Sequence, residues 1–185
     1  MGTLIVIEFV TLDGVVDDPD GSQGTPDGGW AFRFGPEAVA GDKFALGEVL
    51  ETATLLLGRG TWELFSRLWP PRTDPFSTAL NAMPKLVASR TLADVGAWQN
   101  STVLAGDLVT EAKKLREERD VVVTGSHDVV VQLAEADLVD QYRTLAFPVV
   151  LGHGRRLFSR PLDLRLVSVE PAGQAVRMVH DVVRA

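Results

Sequence analysis

The order of elements along this 185-residue chain predicts an α/β fold in three layers: a mostly parallel central sheet, helices on both faces, and antiparallel strands at the C-terminal edge. Three observations carry this reading. Apolar, β-branched runs alternate with helical patterns from Thr3 to about Ala136. The helical pattern then stops, and residues 141–147, 164–169 and 175–183 read as strands separated by Gly- and Pro-rich turns. Finally, three strand ends run into small polar residues: Gly58-Arg59-Gly60-Thr61, Ser89-Arg90-Thr91 and Thr124-Gly125-Ser126. In open α/β sheets, ligands lie beyond the carboxyl ends of the strands.

Taken in order, residues 3–11 are β-branched and apolar and end at the turn Leu12-Asp13-Gly14, which makes them the first strand. Residues 17–29, DDPDGSQGTPDGG, crowd aspartate, glycine and proline with little to bury. A long polar loop is expected there, placed as a mobile lid. Pro36 opens a predicted helix reaching about Thr52, its apolar stripe including Val39, Phe44, Leu46, Val49 and Leu50. Residues 55–57 read as a short buried strand and 61–68 as a helix carrying Trp62, Leu64, Phe65 and Leu68, stopped by WPPRTDP because proline cannot continue a helix. Residues 85–88 and 102–105 are the next strands. Asp107 caps a helix whose Leu108, Val109, Ala112 and Leu115 share a face. Residues 120–124 form a fifth strand, and Gly125-Ser126 start a helix to about Ala136.

Composition narrows the function. At 45% hydrophobic residues, the chain supports one well-buried core, read as a single domain over residues 1–185. A net charge of −7, with no basic stripe, argues against a nucleic-acid partner and for a small molecule. There are no cysteines and three scattered histidines, His127, His153 and His180, so no metal site is expected. The apolar run at the start is short, contains Glu8 and has no basic leader. It is read as neither signal peptide nor membrane span, and the protein as cytoplasmic.

The three small polar strand ends are candidate anion sites. Helix N-termini present unpaired N–H groups and partial positive charge, and glycine lets a phosphate approach the backbone. Arg59 and Arg90 add bidentate donors. Neither the G-x-G-x-x-G fingerprint nor a Walker A motif is present, so the phosphate sites belong to another nucleotide fold.

LLLGRGTWELF, residues 55–65, resembles the Gly-Arg-x-Thr-Trp/Tyr-Glu turn of dihydrofolate reductase, PKLVASRTL is similar to its next strand, and VVVTGSHDVVVQL resembles its Gly-Gly turn. The tail LVDQYRTLAFPVVLGHGRRLF and the early TLDGVVDDPDG resemble in particular the C-terminal reductase domain of the bifunctional deaminase-reductase of riboflavin biosynthesis and its stand-alone relatives. The resemblance implies a dihydrofolate reductase-like fold and an NADPH-dependent oxidoreductase. Carried over, Gly58, Arg59 and Thr61 meet the pyrophosphate and adenosine end. Ser89 and Arg90, with Thr91 beside them, meet the ribose 2′-phosphate, and Gly125 and Ser126, following Thr124, meet the diphosphate near the nicotinamide. An arginine at the 2′ position favours NADPH over NADH.

Departures bear on the substrate. Met83 stands where dihydrofolate reductases carry the arginine that binds the folate tail, so dihydrofolate is not expected to be the substrate. Thr124 replaces the Glu that precedes the glycine pair in the riboflavin reductases. The expected substrate is a small heterocycle, pterin- or pyrimidine-like, or a related compound.

Reduction of a C=N or C=O bond needs a hydride and a proton, so one polar group should face an apolar pocket. Asp13, in the LDG turn, and Asp42, on the predicted first helix, are the candidate catalytic carboxylates. Trp30 and Phe34 are candidates to stack on a planar substrate, and Thr144 matches a pocket threonine of dihydrofolate reductase. A second reading is a nucleotide-binding module or redox sensor without turnover. A homodimer is expected, because LAFPVVLG and LRLVSVEP offer more apolar surface than one sheet face needs and the riboflavin relatives associate in this way.

Overall fold

The computed structural model describes residues 1–184. Strands β1 (Leu4–Thr11), β2 (Thr54–Gly58), β3 (Lys85–Ala88), β4 (Ser101–Val103), β5 (Val121–Val123), β6 (Gln141–Phe147), β7 (Leu164–Ala172) and β8 (Ala175–Val182) form one sheet. Its order is β4-β3-β2-β5-β1-β6-β8-β7. The helices are α1 (Val49–Thr52), α2 (Arg59–Leu68), α3 (Pro75–Ala82), α4 (Leu108–Glu118) and α5 (His127–Glu135). Contacts divide the chain into two compact units, the first made of residues 1–6 and 46–140 and the second of residues 7–45 and those from 141 onward.

The first unit holds the parallel part of the sheet. Leu56 lies opposite Val123 and Val6 opposite Val123 on its other side, while Gly58 at the end of β2 lies opposite Ala88 at the end of β3. Leu55 to Leu57 and Val121 to Val123 are all buried. Strands covered on both faces carry continuous apolar runs rather than alternation. Each such Leu or Val contributes roughly 1.5–3 kcal/mol by leaving water.

Helix α2 buries Trp62, whose indole N–H donates to Ser101 Oγ at 3.0 Å, and it closes with Trp69 N donating to Phe65 O before Pro70 and Pro71. Helix α4 is capped by Asp107, whose carboxylate accepts from Thr110 N at 3.0 Å, as the sequence predicts. Helix α3 is an addition to the predicted elements. Its start signal was present: Asp74 accepts from Ser77 N at 3.1 Å, and Pro75 occupies the first helical turn, where its missing N–H costs nothing. The proline-rich stop before it masked that signal.

In the last turn of α3, Asn81 ties three segments, accepting from the Trp98 indole at 2.7 Å and donating to Trp69 O at 2.9 Å. Beside it, Lys85 is only 2% exposed and donates from Nζ to the carbonyls of Asn81 (2.8 Å), Met83 (2.7 Å) and Gln99 (3.2 Å). Burial pushes its pKa down to about 8.

The second unit contains the rest of β1 with the antiparallel β6, β8 and β7, the last two with a register shift between Leu166 and Ser168. Phe9 stacks on Phe44 with ring centroids 5.5 Å apart and meets Phe147 edge-on at 5.4 Å. The helix expected over residues 36–52 is not formed. Gly41, Ala45 and Gly47 take positive φ of 57, 50 and 55°, which breaks the run into turns and leaves α1 as its one helical stretch.

The segment over residues 17–29 also differs from the bare polar lid expected. Asp18 is buried, and its carboxylate accepts from Gln23 N, Thr25 N and Thr25 Oγ1, all within 2.9 Å. These bonds outweigh the burial that would raise its pKa and hold it below the usual carboxylate value. The loop is organised from inside by a residue whose type the sequence reading credited only to turn formation. Among the described residues, no helix is long and apolar enough to cross a membrane.

Candidate functional site

In the first unit, three neighbouring strands, β3, β2 and β5, end side by side, and each is followed by one of the small polar turns picked out in the sequence. Two of these turns lead directly into helices. Gly58, which has no side chain to cap with, is the N-cap of α2, and Ser126 is that of α5, its hydroxyl closing no hydrogen bond to the helix. By contrast, α3 and α4 are sealed by Asp74 and Asp107. The positive ends of the α2 and α5 dipoles, with no cap side chain turned onto them, favour negative charge.

The turns touch each other. Gly58 N donates to Gly125 O at 3.1 Å, and the Gly125–Ser126 peptide is cis, with Gly125 at φ 84°. A Cβ on Gly58 would overlap the Ser126 hydroxyl and lie 2.9 Å from Ser126 N. Position 58 thus admits only glycine, because another backbone comes this close. Thr124 leads off β5, half-buried, into this turn, and Thr61 sits half-buried in the first turn of α2. Arg59 is exposed, donates to Thr91 Oγ1 at 3.2 Å and lies 3.9 Å from Glu63. Ser89 Oγ accepts from Thr91 N (3.2 Å) and Leu92 N (2.9 Å), which shapes the loop that presents the exposed Arg90. All nine residues assigned to anion binding in the sequence therefore lie in one unit at adjacent strand ends.

The substrate-side candidates all lie in the second unit, and their placement is mixed. Asp13 belongs to a clamp between two loops. Its carboxylate accepts from Thr11 Oγ1 at 2.6 Å, Gly152 N at 2.8 Å and Leu151 N at 3.3 Å, and the Arg156 guanidinium donates to its carbonyl. The Thr11 hydroxyl, with the Gly152 N–H next, draws the Asp13 pKa down to about 2. A carboxyl held ionised by loop contacts is poorly suited to deliver a proton near neutral pH.

Asp42 sits in a turn, its carbonyl accepting from Ala45 N at 3.0 Å, because the helix expected to carry it is absent. Trp30 is 0% exposed, donates its indole N–H to Asp17 O at 2.8 Å and packs edge-on against Phe147. With no accessible surface, it is a core ring in this structure and offers no face to a substrate. Phe34 is half-buried, 6.1 Å from the same Phe147 ring. Thr144 is buried on β6.

Sequence reasoning used Glu8 only to argue that β1 is no membrane segment. In the structure it is the single ionisable side chain of β1, half-buried, and burial pushes its pKa up to about 8 against the pull of the Arg155 charge. The signal was an acid inside an otherwise apolar, β-branched strand, a place where carboxylates are costly. Among the described residues no group of three His, Cys, Asp or Glu side chains is arranged to hold a metal ion.

A mostly parallel sheet with an antiparallel C-terminal edge and helices packed on it defines a dihydrofolate reductase-like fold. The family model described as "RibD C-terminal domain" matches residues 2–178, and the chain belongs to that family, which is one of riboflavin-type reductases. Its curated relatives include the uncharacterized protein YyaP of Bacillus subtilis (strain 168), 26% identical over 134 residues that span 66% of this chain and 70% of that one. Among solved structures, a putative riboflavin biosynthesis protein from Shewanella sp. PV-4 superposes with a TM-score of 0.71 at 21% identity, covering 98% of this chain and 99% of that one. Acinetobacter baumannii RibD, form 1, superposes with a TM-score of 0.63 at 13% identity, covering 100% of this chain and 59% of the RibD chain, so the chain spans about three fifths of that protein.

Proposed function

We propose that the protein is an NADPH-dependent reductase of a small heterocyclic substrate, pterin- or pyrimidine-like, or of a related compound. The observation that carries this reading is the pair of uncapped helix N-termini, at Gly58 and Ser126, held against each other at adjacent strand ends. Such a cradle suits a diphosphate. The N–H groups of α2 and α5 donate to its oxygens, and the close contact of Gly58 with Ser126 sets how near the two N-termini lie. Arg59, braced on Thr91, and Arg90 on its Ser89-ordered loop supply the charge for a ribose 2′-phosphate, which supports NADPH over NADH. When bound, the nicotinamide supplies hydride.

On the substrate side, Phe34 offers a half-buried ring and Thr144 a hydroxyl, while Asp13 acts at a distance by holding the loop of residues 11–17 to the loop of residues 149–156. Met83, buried at 2% exposure, brings no charge for a folate tail, which supports a substrate other than dihydrofolate. The exposed apolar row Leu166, Val167 and Val169 on edge strand β7 supports association of two copies.

The test is a screen of NADPH oxidation against pterins, pyrimidines, flavins and quinones. Oxidation that depends on both protein and acceptor supports a reductase. Tight NADPH binding with no oxidation against any acceptor would instead make the chain a nucleotide-binding module.

A further inference from the structure

The register of the C-terminal strands sorts their side chains by charge. Residues directly opposite each other on antiparallel strands share a face of the sheet. Leu166 lies opposite His180, Val169 opposite Met178 and Pro171 opposite Val176, which puts all of them on one face. Arg165 lies opposite Asp181 and Glu170 opposite Arg177 on the other face, and each of these pairs is a salt bridge. Arg143 of β6, opposite Val179, joins the charged face. Among the described residues of β6, β7 and β8, every Asp, Glu, Lys and Arg lies there and none lies with Leu166.

This segregation depends on one residue. From Leu166 to Ser168 strand β7 advances two positions while β8 advances one, from His180 to Val179, so Val167 is the extra residue of a β-bulge. A slip of one residue turns every following side chain to the opposite face. The bulge therefore places Val169 and Pro171 with Leu166 and gives Glu170 to Arg177. Without it, Ser168 and Glu170 would stand on the apolar face.

The two faces are covered differently. On the charged side Arg177 donates to Lys43 O at 3.4 Å, Arg143 donates to Ala45 O, and Phe147 packs against Phe9. On the apolar side Leu166, Val169 and Val176 are 55, 55 and 38% exposed. An apolar sheet face is stable when it packs on another layer.

We propose that this face is where two copies of the chain pack, sheet on sheet. This rests on the association of two copies proposed above and fixes its geometry. Each copy carries a net charge of −7, and a two-fold interface sets one patch against itself, so an acid or base there would meet its like. A face without Asp, Glu, Lys or Arg avoids that repulsion and the cost of burying charge. It also gives an unlike partner little to be selected by, because such selection is carried by complementary charge. Edge-to-edge pairing along β7 is the other way two copies could meet, and the strand opposes it: Pro171 has no N–H to donate and the bulge interrupts the ladder.

The experiment measures mass and burial. Sedimentation at micromolar concentration compares wild type, Val169→Lys with Val176→Lys, and Arg165→Gln, which alters the charged face. The chain has no cysteine, so Val176→Cys and Arg165→Cys each add a single thiol whose reaction with a maleimide reports its burial. Wild type and Arg165→Gln should sediment as dimers and the lysine pair as a monomer of 20.0 kDa. Along a dilution series, the thiol at position 176 should react at least about tenfold faster once the dimer has dissociated, and the thiol at position 165 at one rate throughout. Val176 is on β8, so edge-to-edge pairing of β7 would leave it open in the dimer.

A monomeric wild type overturns the association of two copies and this geometry with it. A dimer that survives both lysines, or a thiol at position 176 whose rate stays constant while the mass halves, leaves the association standing and overturns this face. If the lysine pair does not fold, the thiol rates decide.

Discussion

Gly58 and Ser126 are in van der Waals conflict for any side chain at position 58: a Cβ there would overlap the Ser126 hydroxyl, and Gly58 N already donates to Gly125 O at 3.1 Å. The two residues cap neighbouring helices, so their approach sets the spacing of both open N-termini. Gly58→Ala should push the two turns apart and lower NADPH affinity by at least about tenfold, or roughly 1.4 kcal/mol. Fluorescence titration of NADPH checks this. An affinity equal to wild type in a folded Gly58→Ala protein would show that the cradle does not depend on the contact.

Lys85 links packing to pH. Its folded pKa, about 8, lies below the ordinary 10.5 because burial disfavours the ammonium. The unfolded chain therefore holds the proton more tightly, and folding carries this handicap in full below pH 8. As pH rises from about 8 to 10.5 the folded state loses the proton first, the handicap is relieved, and the Lys85 contribution to stability rises. Tyr142 acts in the opposite sense higher up: burial raises its pKa to about 12, so its contribution is lost as pH climbs from 10 towards 12.

Lys85→Met removes the Lys85 slope. It also strips the donor from Met83 O and Gln99 O, and at pH 7 should cost about 1–3 kcal/mol. Urea unfolding of both proteins at pH 7, 8 and 9.5 measures the two effects together. A parallel pH dependence in Lys85→Met would contradict the assignment.

The Asp18 knot should govern the loop of residues 17–29. Asp18→Ala removes the acceptor for Gln23 N, Thr25 N and Thr25 Oγ1, so the amide protons of Gln23 and Thr25 should exchange at least about tenfold faster. Amides of β2 and β5 should be unaffected. Hydrogen-exchange NMR reads both sets, and unchanged protection at Gln23 and Thr25 would mean that other contacts hold the loop.

Edge strand β7 exposes Leu166, Val167 and Val169, each more than half exposed. If this row is the dimer face, Val167→Lys with Val169→Lys should convert a dimer into a monomer of 20.0 kDa in light scattering at micromolar concentration. A wild type that is already monomeric refutes the homodimer.

How far the sequence reaches is clear from particular residues. Elements whose signal is local were legible. Strands β3 and β6 coincide with the expected residues, and Asp107 caps α4 as its type demands. The three polar turns follow β2, β3 and β5 where the sequence placed them, because glycine and short polar residues mark the ends of apolar strands.

Two local readings failed for identifiable reasons. Apolar residues at helical spacing over residues 36–52 outvoted Gly41 and Gly47, whose positive φ ends the helix, and Pro70 and Pro71 hid the start of α3. Side-chain commitments were not legible. Nothing in DDPDG distinguishes Asp18, buried and saturated, from Asp17, paired with Arg155. Nor does LDG reveal that Asp13 is bound by the loop of residues 149–156. Those partners lie more than a hundred residues away for Asp17 and Asp13, and only the folded chain brings them together.

The central claim is that the strand-end turns of the first unit form an NADPH site read by its arginines, and calorimetric titration with NADPH and NADH tests it most directly. Arg90 is exposed on the Ser89 loop, and a charge-assisted contact of this kind is worth about 1.5–3 kcal/mol. Wild type should bind NADPH more tightly than NADH by about ten- to hundredfold, and Arg90→Ala should lose most of that preference while keeping its NADH affinity. Equal wild-type affinities for the two cofactors, or binding of neither, would contradict the account.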